Sequence, residues 1–396
     1  MLPQVLMLGW EYPPYINGGL GVASHALAEA LERFVNLKVI LPNAQGIPAG
    51  APTILGLDQL SGGGWEAQQA SSLRIPVELR AYAGAADKDV QGLYSGNLLK
   101  KVAHYETLAR RIARSERFDL VHAHDWMTFP AAIGIKRERQ KPAVLHVHSL
   151  EYDRSGSGPD APNWIYEIEK EAFKEADLII PVSEYTSDIL EKVYEVPKAK
   201  IFPVHNAIVP RKAVRLPKPF PEKLVVFMGR ITGQKGPEKF LNAALLVLEH
   251  FDKVRFMMAG QGDQREVLMR LAAKARIGDR FHSMGFLSAS EKQRMLAMAD
   301  VFVMPSMSEP FGLVALEAAQ MGVPCVISKH SGVHEVLPAA ISIDPENLGE
   351  LTHYLLSLLK YPTLGRVMVE RQKQNLLGLD WEKAAMKIVT AYRNRL

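Results

Sequence analysis

Short apolar runs alternate with amphipathic helical segments along the first half of the chain. The run Val5–Leu8 leads through a turn containing Gly18 and Gly19 into a helix whose apolar residues recur every three or four positions. A second apolar run follows at Leu37–Leu41, so this segment predicts a strand, a glycine-rich turn, a helix and a parallel strand. Further strands are predicted at residues 118–123, 143–147, 178–182 and 201–204.

The same alternation starts again after residue 221. Strands are predicted at residues 224–228, 254–259, 281–284, 301–304 and 324–328, with helices between them. Because strands that alternate with helices form parallel sheets, the pattern predicts an α/β protein with two Rossmann-like, doubly wound domains in tandem. Substrate is then expected in a cleft between the domains, at the carboxyl ends of the strands.

Breaks in this pattern set the predicted domain limits. Residues 206–221 contain prolines and basic residues without a period, and we predict that they link an N-terminal domain, 1–205, to a C-terminal domain, 222–375. Residues 376–396 are predicted to end the chain as a helix with no strand after it. Residues 43–72 are rich in Gly, Ala, Pro and Ser, and are predicted to form a long loop of the kind that often acts as a lid.

Composition narrows the class of protein. The 396 residues are 47% hydrophobic and 23% charged with a net charge of +4, which is typical of a soluble globular protein and compatible with anionic small substrates. No basic-aromatic stretch indicates nucleic-acid binding, and no apolar stretch approaches the roughly 20 residues that span a membrane. The only cysteine, Cys325, excludes an intrachain disulfide. Together with the lack of a signal-peptide pattern, this favours a cytoplasmic location.

Two cations follow the first predicted strand of the second domain. Arg230 comes after Gly229, and Lys235 precedes Gly236 and a predicted helix. Two cations beside a helix N-terminus suit a pyrophosphate group, because the N–H groups and the charges both attract an anion. A solvated loop that is merely basic is the alternative. The loop lacks the Ser or Thr that follows Gly-Lys in a Walker A motif, so P-loop chemistry is disfavoured.

The stretch Met304–Val336 carries two acids eight positions apart. Glu309 lies in a turn before an Ala- and Leu-rich helix predicted at Phe311–Met321, and Glu317 lies inside that helix. N–H groups at the helix start can hold an anion, and carboxylates can accept hydrogen bonds from sugar hydroxyls. The alternatives are a pair of surface acids and a hydrolase carboxylate pair. The apolar neighbours of Glu317 favour a binding role, because a carboxylate buried among them needs a partner.

Four histidines lie at the ends of two neighbouring predicted strands. His122 and His124 form one H-x-H repeat, followed by Asp125, and His146 and His148 form another. Alternate strand residues share a face, so a zinc site is one interpretation. The lack of a nearby cysteine and of a second acid disfavours it, and we predict no metal. Hydroxyl-binding histidines in the cleft are favoured, with core histidines as the alternative for His122 and His146.

Taken together, these motifs resemble the GT-B retaining glycosyltransferases of family 4 (group 1), which include glycogen and sucrose synthases. The segment SEPFGLVALEA resembles the E-x-F-G-x-x-x-x-E signature of the family, and GRITGQKG resembles its Arg/Lys pair. The segments VHAHDW, INGGLG and HNA match as well and come in the expected order. The resemblance therefore covers essentially the whole chain.

This resemblance implies a hexosyltransferase that moves a hexose, expected to be glucose, from a nucleotide sugar to a glucan or small sugar acceptor with α-configuration. ADP-glucose and UDP-glucose are the expected donors, and no tightly bound cofactor is expected. Retention by front-face attack fits the lack of an obvious nucleophile, since catalysis would then rest on positioning and on leaving-group stabilisation. A non-catalytic sugar-nucleotide-binding protein and another GT-B enzyme, such as a sugar-nucleotide epimerase, are the alternatives.

The resemblance also implies residue roles. Catalytic roles are implied for Arg230, Lys235, His124 and Glu309. Donor contacts are implied for Gly18, Gly19, Arg230, Lys235, Glu309, Phe311, Gly312, Leu313 and Glu317. Acceptor-side contacts are implied for Asp125, His148, Asp153 and Arg154. Among these, Arg230 and Lys235 would neutralise the leaving diphosphate, and Glu317 would hold the ribose hydroxyls. The last helix, about Trp381–Arg395, is expected to cross back onto the first domain.

Overall fold

Two compact units make up the part of the chain that the structure describes. The computed structural model describes residues 2–16, 18–47, 52–59, 97–155 and 164–395. The first unit comprises Met1–Tyr152, Ser157–Ala207 and Asp380–Leu396. The second unit comprises Asp153–Gly156 and Ile208–Leu379. No helix among the described residues is both long enough and apolar enough to cross a membrane.

The first unit contains a six-stranded parallel sheet. Its strands are β1 (Gln4–Leu8), β2 (Asn36–Leu41), β3 (Thr53–Gly56), β4 (Leu120–His124), β5 (Ala143–Val147) and β6 (Leu178–Pro181). Its helices up to residue 207 are α1 (Gly19–Leu31), α2 (Leu98–Ser115), α3 (Phe129–Arg139), α4 (Glu151–Arg154), α5 (Trp164–Glu175) and α6 (Glu184–Lys192). Helix α4 ends in the residues that group with the second unit. The strand order across the sheet is β3-β2-β1-β4-β5-β6.

The second unit repeats this plan. Its strands are β7 (Lys223–Met228), β8 (Val254–Ala259), β9 (Phe281–Gly285), β10 (Val301–Met304), β11 (Cys325–Ser328) and β12 (Ile341–Ile343). Its helices are α7 (Pro237–Leu248), α8 (Arg265–Lys274), α9 (Ala289–Met298), α10 (Leu313–Gln320), α11 (Val333–Val336), α12 (Leu348–Lys360) and α13 (Pro362–Leu376). The strand order is β12-β11-β10-β7-β8-β9.

The two sheets confirm the predicted α/β class. When the strands of each unit are counted from one, both sheets have the order 3-2-1-4-5-6 of a doubly wound Rossmann-like fold. The direction of winding reverses between β1 and β4 in the first unit and between β7 and β10 in the second. Ligands of such sheets bind at this switch point, outside the carboxyl ends of the strands. A ligand-binding site is therefore expected in the loops that follow these four strands.

Packing in the second unit anchors the helix that carries one of these loops. The Phe240 ring on α7 lies 5.5, 5.8 and 5.7 Å, centroid to centroid, from the rings of Phe227, Phe256 and Phe281. All four side chains are fully buried. Aromatic clusters of this kind contribute strongly to core stability because each ring removes a large apolar area from water. The start of α7, at Pro237, is thereby held against the sheet.

Two short strands at the sheet edges were not predicted. Residues 53–56 of the predicted 43–72 loop form β3, which pairs with β2 through Lys38↔Thr53 to Leu41↔Gly56. The strand β12 pairs with β11 in the second unit. Strands of three or four residues are too short to show a period, so the loop prediction was wrong for residues 53–56. Residues 48–51 and 60–72 lie outside the described residues.

The strand predicted at residues 201–204 is wrong. Only a single parallel bridge, Ile179↔Ile201, forms there. Phe202 N and Val204 N still donate hydrogen bonds, to Ile179 O and Pro181 O, both at 2.9 Å. The nitrogen of Pro203, between these two donors, faces away from the neighbouring strand, so its lack of an N–H is tolerated at this edge.

The last helix, α14 (Trp381–Arg395), belongs to the first unit and packs against α1. Its buried side chains recur at helical spacing, as expected of an amphipathic helix on a core. They are Trp381, Ala384, Ala385, Ile388, Val389, Ala391 and Tyr392. Arg33, in the turn that follows α1, also forms an ion pair with Glu382 on α14. The C-terminal residues are therefore part of the unit that begins the chain.

Candidate active site

The loop after β7 brings two cations next to the end of β10. Ile231 N donates a hydrogen bond to Gln261 O at 2.7 Å, which fastens this loop to the one after β8. Met307 N donates to Gln234 O at 2.9 Å, which joins it to the loop after β10. Arg230 and Lys235 are thus presented at the switch point of the second sheet, where the fold favours ligand binding.

Gly236 allows these two loops to approach closely. Its φ of 66° lies in the left-handed region, and a Cβ atom added to it would lie 2.1 Å from the carbonyl oxygen of Pro305. Gly229, at the other end of the same loop, has no heavy atom within 4 Å of such a Cβ atom and no positive φ. Only one of the two glycines is therefore required by the protein's own packing.

Gly236→Ala is expected to lower the free energy of unfolding by about 1–3 kcal/mol, because a side chain is strained at this φ and the backbone must shift. Gly229→Ala is expected to change it by less than about 0.5 kcal/mol. Urea denaturation followed by tryptophan fluorescence measures both. Equal midpoints for the two variants would contradict the close approach of Gly236 to Pro305.

Lys235 and Glu309 form a partly buried ion pair. The distance from Lys235 Nζ to Glu309 Oε2 is 2.7 Å, and their side chains are only 15% and 12% exposed. Ser306 Oγ donates to the same carboxylate oxygen at 3.3 Å. Through its main chain Glu309 is bridged to Ser331, with Glu309 N donating to His330 O at 2.9 Å. The two predicted site residues are therefore brought together, and the acid is held rigidly.

The start of α10 is open to an anion. Gly312 is its N-cap residue with φ of 106°, no side chain caps the helix, and the first turn contains no acid. Val333 N donates to Phe311 O at 2.7 Å and fixes the approach to the helix. The first N–H groups of a helix have no intrahelical acceptor, and the helix dipole is positive there. The segment from Phe311 to Leu313 therefore has the form of an anion- or hydroxyl-binding turn.

Glu317 has the partner that its apolar surroundings require. Lys292 Nζ on α9 donates to Glu317 Oε1 at 2.6 Å. The second oxygen, Oε2, is buried and has no hydrogen-bond partner among the described residues. One carboxylate oxygen is thus held by a cation and the other is left with unused acceptor capacity. Sequence reasoning missed Lys292, because it lies 25 positions from Glu317 and no short motif joins them.

Arg230 is also supported by a residue that sequence reasoning missed. Arg230 Nη2 donates to Gln234 Oε1 at 3.0 Å, and Gln234 is buried. The main chain of Gln234 is the group that accepts the hydrogen bond from Met307. A single glutamine therefore orients the guanidinium and joins the two loops.

In the first unit, four histidine rings form a stack that we call the imidazole array: His122, His124, His146 and His148. His124 and His146 face each other across the paired strands β4 and β5. Neighbouring ring centroids lie 4.5–5.3 Å apart, and the His146 and His148 planes differ by only 9°. His124 Nδ1 is 2.9 Å from His148 Nε2, and His146 Nδ1 is 3.3 Å from His122 Nε2. The parallel register of the strands is what builds the array.

The array is neutral at physiological pH. Burial lowers the pKa of His122 to about 3 and that of His148 to about 3. Burial, followed by the neighbouring imidazoles, lowers the pKa of His124 and of His146 well below its ordinary value. A charged ring would lose its hydration and repel its neighbours, which is why the neutral form is favoured. These histidines therefore act as neutral donors and acceptors of hydrogen bonds.

Three ring nitrogens, one each from His122, His124 and His146, lie within 4.8 Å of one another. Hydrogen bonds engage both nitrogens of His122, whereas Nε2 of His124 and Nε2 of His146 have no partner among the described residues. A metal ion held by all three rings would thus have to displace a hydrogen bond of His122. That no metal binds here stays a prediction.

The carboxylate of Asp125 organises the chain after β5. Its Oδ1 accepts hydrogen bonds from His148 N at 2.7 Å and from Ser149 N at 3.2 Å, and its own φ is 61°. Asp153 is fully buried and accepts a hydrogen bond from Ser308 Oγ, within the second unit, while Arg154 is half-buried. The acceptor-side roles of these residues and of His148 stay predictions.

The first turn of α1 contacts an acid that sequence reasoning missed. Gly18 is the N-cap residue of α1 and has no side-chain cap, and both Gly18 and Gly19 are exposed. Gly21 N donates to Glu11 Oε2 at 3.2 Å, and Glu11 is buried. A carboxylate therefore already uses part of the positive end of this helix. Donor contacts by Gly18 and Gly19 stay predictions.

The second unit presents two cations, an open helix N-terminus and two carboxylates at the switch point of a doubly wound sheet, which together define a site for a hydroxylated, phosphate-bearing ligand. Residues 210–375 match the family model described as Glycosyl transferases group 1, and residues 17–212 match that described as Glycosyltransferase Family 4. The chain therefore belongs to the group 1 glycosyltransferases of GT-B fold, as predicted.

Similar proteins cover nearly the whole chain. Glycogen synthase of Mycobacterium tuberculosis is 28% identical over 98% of this chain and 94% of its own length. Among solved structures, sucrose-phosphate synthase from Thermosynechococcus elongatus has a TM-score of 0.75 at 19% identity and covers 98% of both chains. The catalytic domain of starch synthase IV from Arabidopsis thaliana, bound to ADP and acarbose, has a TM-score of 0.73 at 14% identity over 100% of this chain and 99% of its own. At such identities the two structures show the shared fold.

Proposed function

We propose that the protein is a retaining hexosyltransferase that moves glucose from ADP-glucose or UDP-glucose to a glucan or small sugar acceptor, with α-configuration in the product. The observation that carries the proposal is the partly buried pair of Lys235 and Glu309, with Arg230 on the same loop as Lys235 and with the open start of α10. The similarity to a glycogen synthase, and to a starch synthase domain bound to ADP and acarbose, supports a glucosyl donor. A cytoplasmic location stays a prediction.

The donor's diphosphate would lie against Arg230 and Lys235. In the described structure the ammonium group of Lys235 contacts Glu309 at 2.7 Å. Phosphate oxygens would compete for this ammonium group, since charge-assisted hydrogen bonds to phosphate are among the strong ones in proteins. Glu309 would then accept hydrogen bonds from hexose hydroxyls, together with N–H groups of the segment from Phe311 to Leu313. The contact between Lys235 and Glu309 would thus be replaced by one contact of Lys235 with phosphate and one of Glu309 with the hexose.

The nucleoside would be held by Glu317. Its Oε1 is oriented by Lys292, and its buried Oε2 has unused acceptor capacity. Two adjacent ribose hydroxyls are the donors that suit such an oxygen. His124, Gly18 and Gly19 of the first unit would contact the donor sugar and phosphates. Asp125, His148, Asp153 and Arg154 would serve the acceptor side.

Transfer would proceed on one face of the sugar. The bond from C1 to the diphosphate oxygen breaks, the acceptor hydroxyl oxygen bonds to C1 on the same face, and the acceptor proton passes to the leaving diphosphate. Negative charge develops on the leaving group, so fixed cations stabilise the transition state more than the ground state. No protein nucleophile is required, and positioning accounts for much of the rate.

A thermal-shift screen with ADP-, UDP- and GDP-glucose tests donor binding. A ligand present at 100 times its Kd stabilises the folded state by about 2.7 kcal/mol, so one nucleotide series is expected to raise Tm clearly above the others. Incubation of that donor with maltooligosaccharides or small sugars is then expected to release the nucleoside diphosphate and to give an α-linked product by NMR.

The outcomes separate the proposal from its alternatives. A Tm shift without release of nucleoside diphosphate would indicate a binding protein. Conversion of the donor to an epimeric nucleotide sugar would indicate an epimerase. No shift and no release with any of the three donors would reject the proposed function.

A further inference from the structure

We propose that Tyr392, near the end of α14, is a positioning residue for the imidazole array: its hydroxyl sets the tautomers of His122 and His146 and thereby holds the ring of His124. The Tyr392 oxygen lies 2.6 Å from His122 Nδ1, and both residues are buried. The Tyr392 ring also meets the His122 ring edge-on, with centroids 5.8 Å apart. Its effect on activity rests on the role of His124 in the proposed function.

Counting donors and acceptors decides the direction of the hydrogen bonds. If the Tyr392 hydroxyl donates to His122 Nδ1, the proton of His122 is on Nε2, which donates to His146 Nδ1 at 3.3 Å. This direction leaves one group unpaired among the described residues, the N–H on His146 Nε2. The reversed direction would leave two, the Tyr392 O–H and the lone pair on His146 Nε2. Each buried polar group without a partner costs free energy, so the first direction is favoured.

The protonation states agree with this direction. Burial raises the pKa of Tyr392 well above its ordinary value, so its hydroxyl keeps the proton that it donates. Burial lowers the pKa of His122 to about 3, so its ring has one proton and one free lone pair. A neutral imidazole with its proton on Nε2 is the form that both contacts require.

The tautomer of His122 also fixes the tautomer of His146, whose ring stacks on His124, the histidine predicted to contact the sugar. With Nδ1 of His146 accepting, the proton of His146 is on Nε2, which has no partner among the described residues. The His146 ring stacks on the His124 ring with centroids 4.9 Å apart and planes 22° apart. His124 Nε2 likewise has no partner in the described part of the chain. The orientation of the stacked His146 and His124 rings therefore determines where His124 Nε2 can form a hydrogen bond with a sugar hydroxyl.

The packing of α14 does not by itself explain why residue 392 is a tyrosine with a hydroxyl group. Ile388 is fully buried on the same helix, and Glu382 pairs with Arg33 at its start. A phenylalanine ring would fill the space of the Tyr392 ring equally well. What the oxygen adds is one directed hydrogen bond to His122, which is why we assign it a positioning role.

Tyr392→Phe and the matched control Ile388→Ala test this role. Nitrogen-15 NMR of histidine-labelled protein distinguishes a proton on Nδ1 from one on Nε2. In the wild-type protein His122 and His146 are expected to carry it on Nε2. Tyr392→Phe is expected to lose that single tautomer and to lower kcat by about tenfold with donor and acceptor saturating. Ile388→Ala is expected to lower Tm more than Tyr392→Phe does, because it leaves a cavity, while keeping the tautomers and kcat.

The results decide between positioning and mere packing. A wild-type His122 with its proton on Nδ1, or a Tyr392→Phe variant with unchanged tautomers and kcat, would overturn the proposal. Equal loss of kcat in Ile388→Ala would also overturn it, since docking of the helix would then be the cause. A wild-type protein that transfers no sugar would contradict the proposed function, whereas the NMR measurement would still decide the role of Tyr392.

Discussion

Lys235→Ala is expected to lower kcat by about 10²- to 10³-fold, the usual effect of removing one group that stabilises charge developing in a transition state. The ammonium group is already held at the switch point by its 2.7 Å contact with Glu309, where the diphosphate would lie. Arg230→Ala is expected to have a similar effect through loss of the guanidinium group. Release of nucleoside diphosphate under saturating donor measures kcat directly.

Lys239→Ala is the matched control. Lys239 lies in the first turn of α7, four positions after Lys235, and its ion pair with the exposed Glu346 has a distance of 2.8 Å. It carries the same charge but pairs with a surface acid instead of Glu309, so kcat is expected to stay within about twofold, as surface substitutions are usually neutral. Near-normal turnover in both Arg230→Ala and Lys235→Ala would reject the leaving-group role.

Loss of Lys235 also leaves the carboxylate of Glu309 without its cation, so the effect on the fold must be separated from the effect on catalysis. Breaking a buried ion pair by removing one partner destabilises a protein because a charge remains buried and unpaired. Lys235→Ala combined with Glu309→Gln removes both charges and is expected to recover Tm. Catalysis is expected to stay low in the double variant, because the cation for the diphosphate is still absent. Recovery of kcat would show that the single variant had failed through misfolding.

Lowering the pH from 7 to 5 is expected to reduce the free energy of unfolding by several kcal/mol through the four histidines of the imidazole array. In the folded protein burial holds the pKa of each well below the ordinary 6.5. In this pH range the unfolded chain therefore binds more protons than the folded protein. Stability then falls as the pH falls below about 6.5. Urea denaturation at several pH values measures this dependence.

His146→Gln tests the origin of that acid sensitivity. Removing one of the four imidazoles of the array is expected to reduce the dependence on pH by about a quarter, because one proton fewer is taken up on unfolding. His250→Gln, at an exposed histidine, is the control. The same steepness in His146→Gln and in the wild-type protein would show that other groups cause the acid sensitivity.

Much of the fold could be predicted because the central strands are buried on both faces. Strands such as β6 and β10, in which every residue is buried, appear in the sequence as continuous apolar runs. The edge strands β3 and β12 could not be predicted, since three or four residues show no period. The strand predicted at residues 201–204 was wrong because an apolar run that follows a sheet edge through a single bridge has the same sequence pattern as a strand.

The sequence by itself determined the doubly wound α/β class, the family, and the chemistry offered at the loops after β7 and β10. These follow from local spacing, since apolar periodicity records which side of an element is buried and motifs place charges beside helix starts. Only the tertiary structure decided which groups meet. The pairing of Lys235 with Glu309, of Lys292 with Glu317, and of Tyr392 with His122 joins residues 74, 25 and 270 positions apart. Such contacts depend on how sheets and helices pack, and spacing along the chain does not record them.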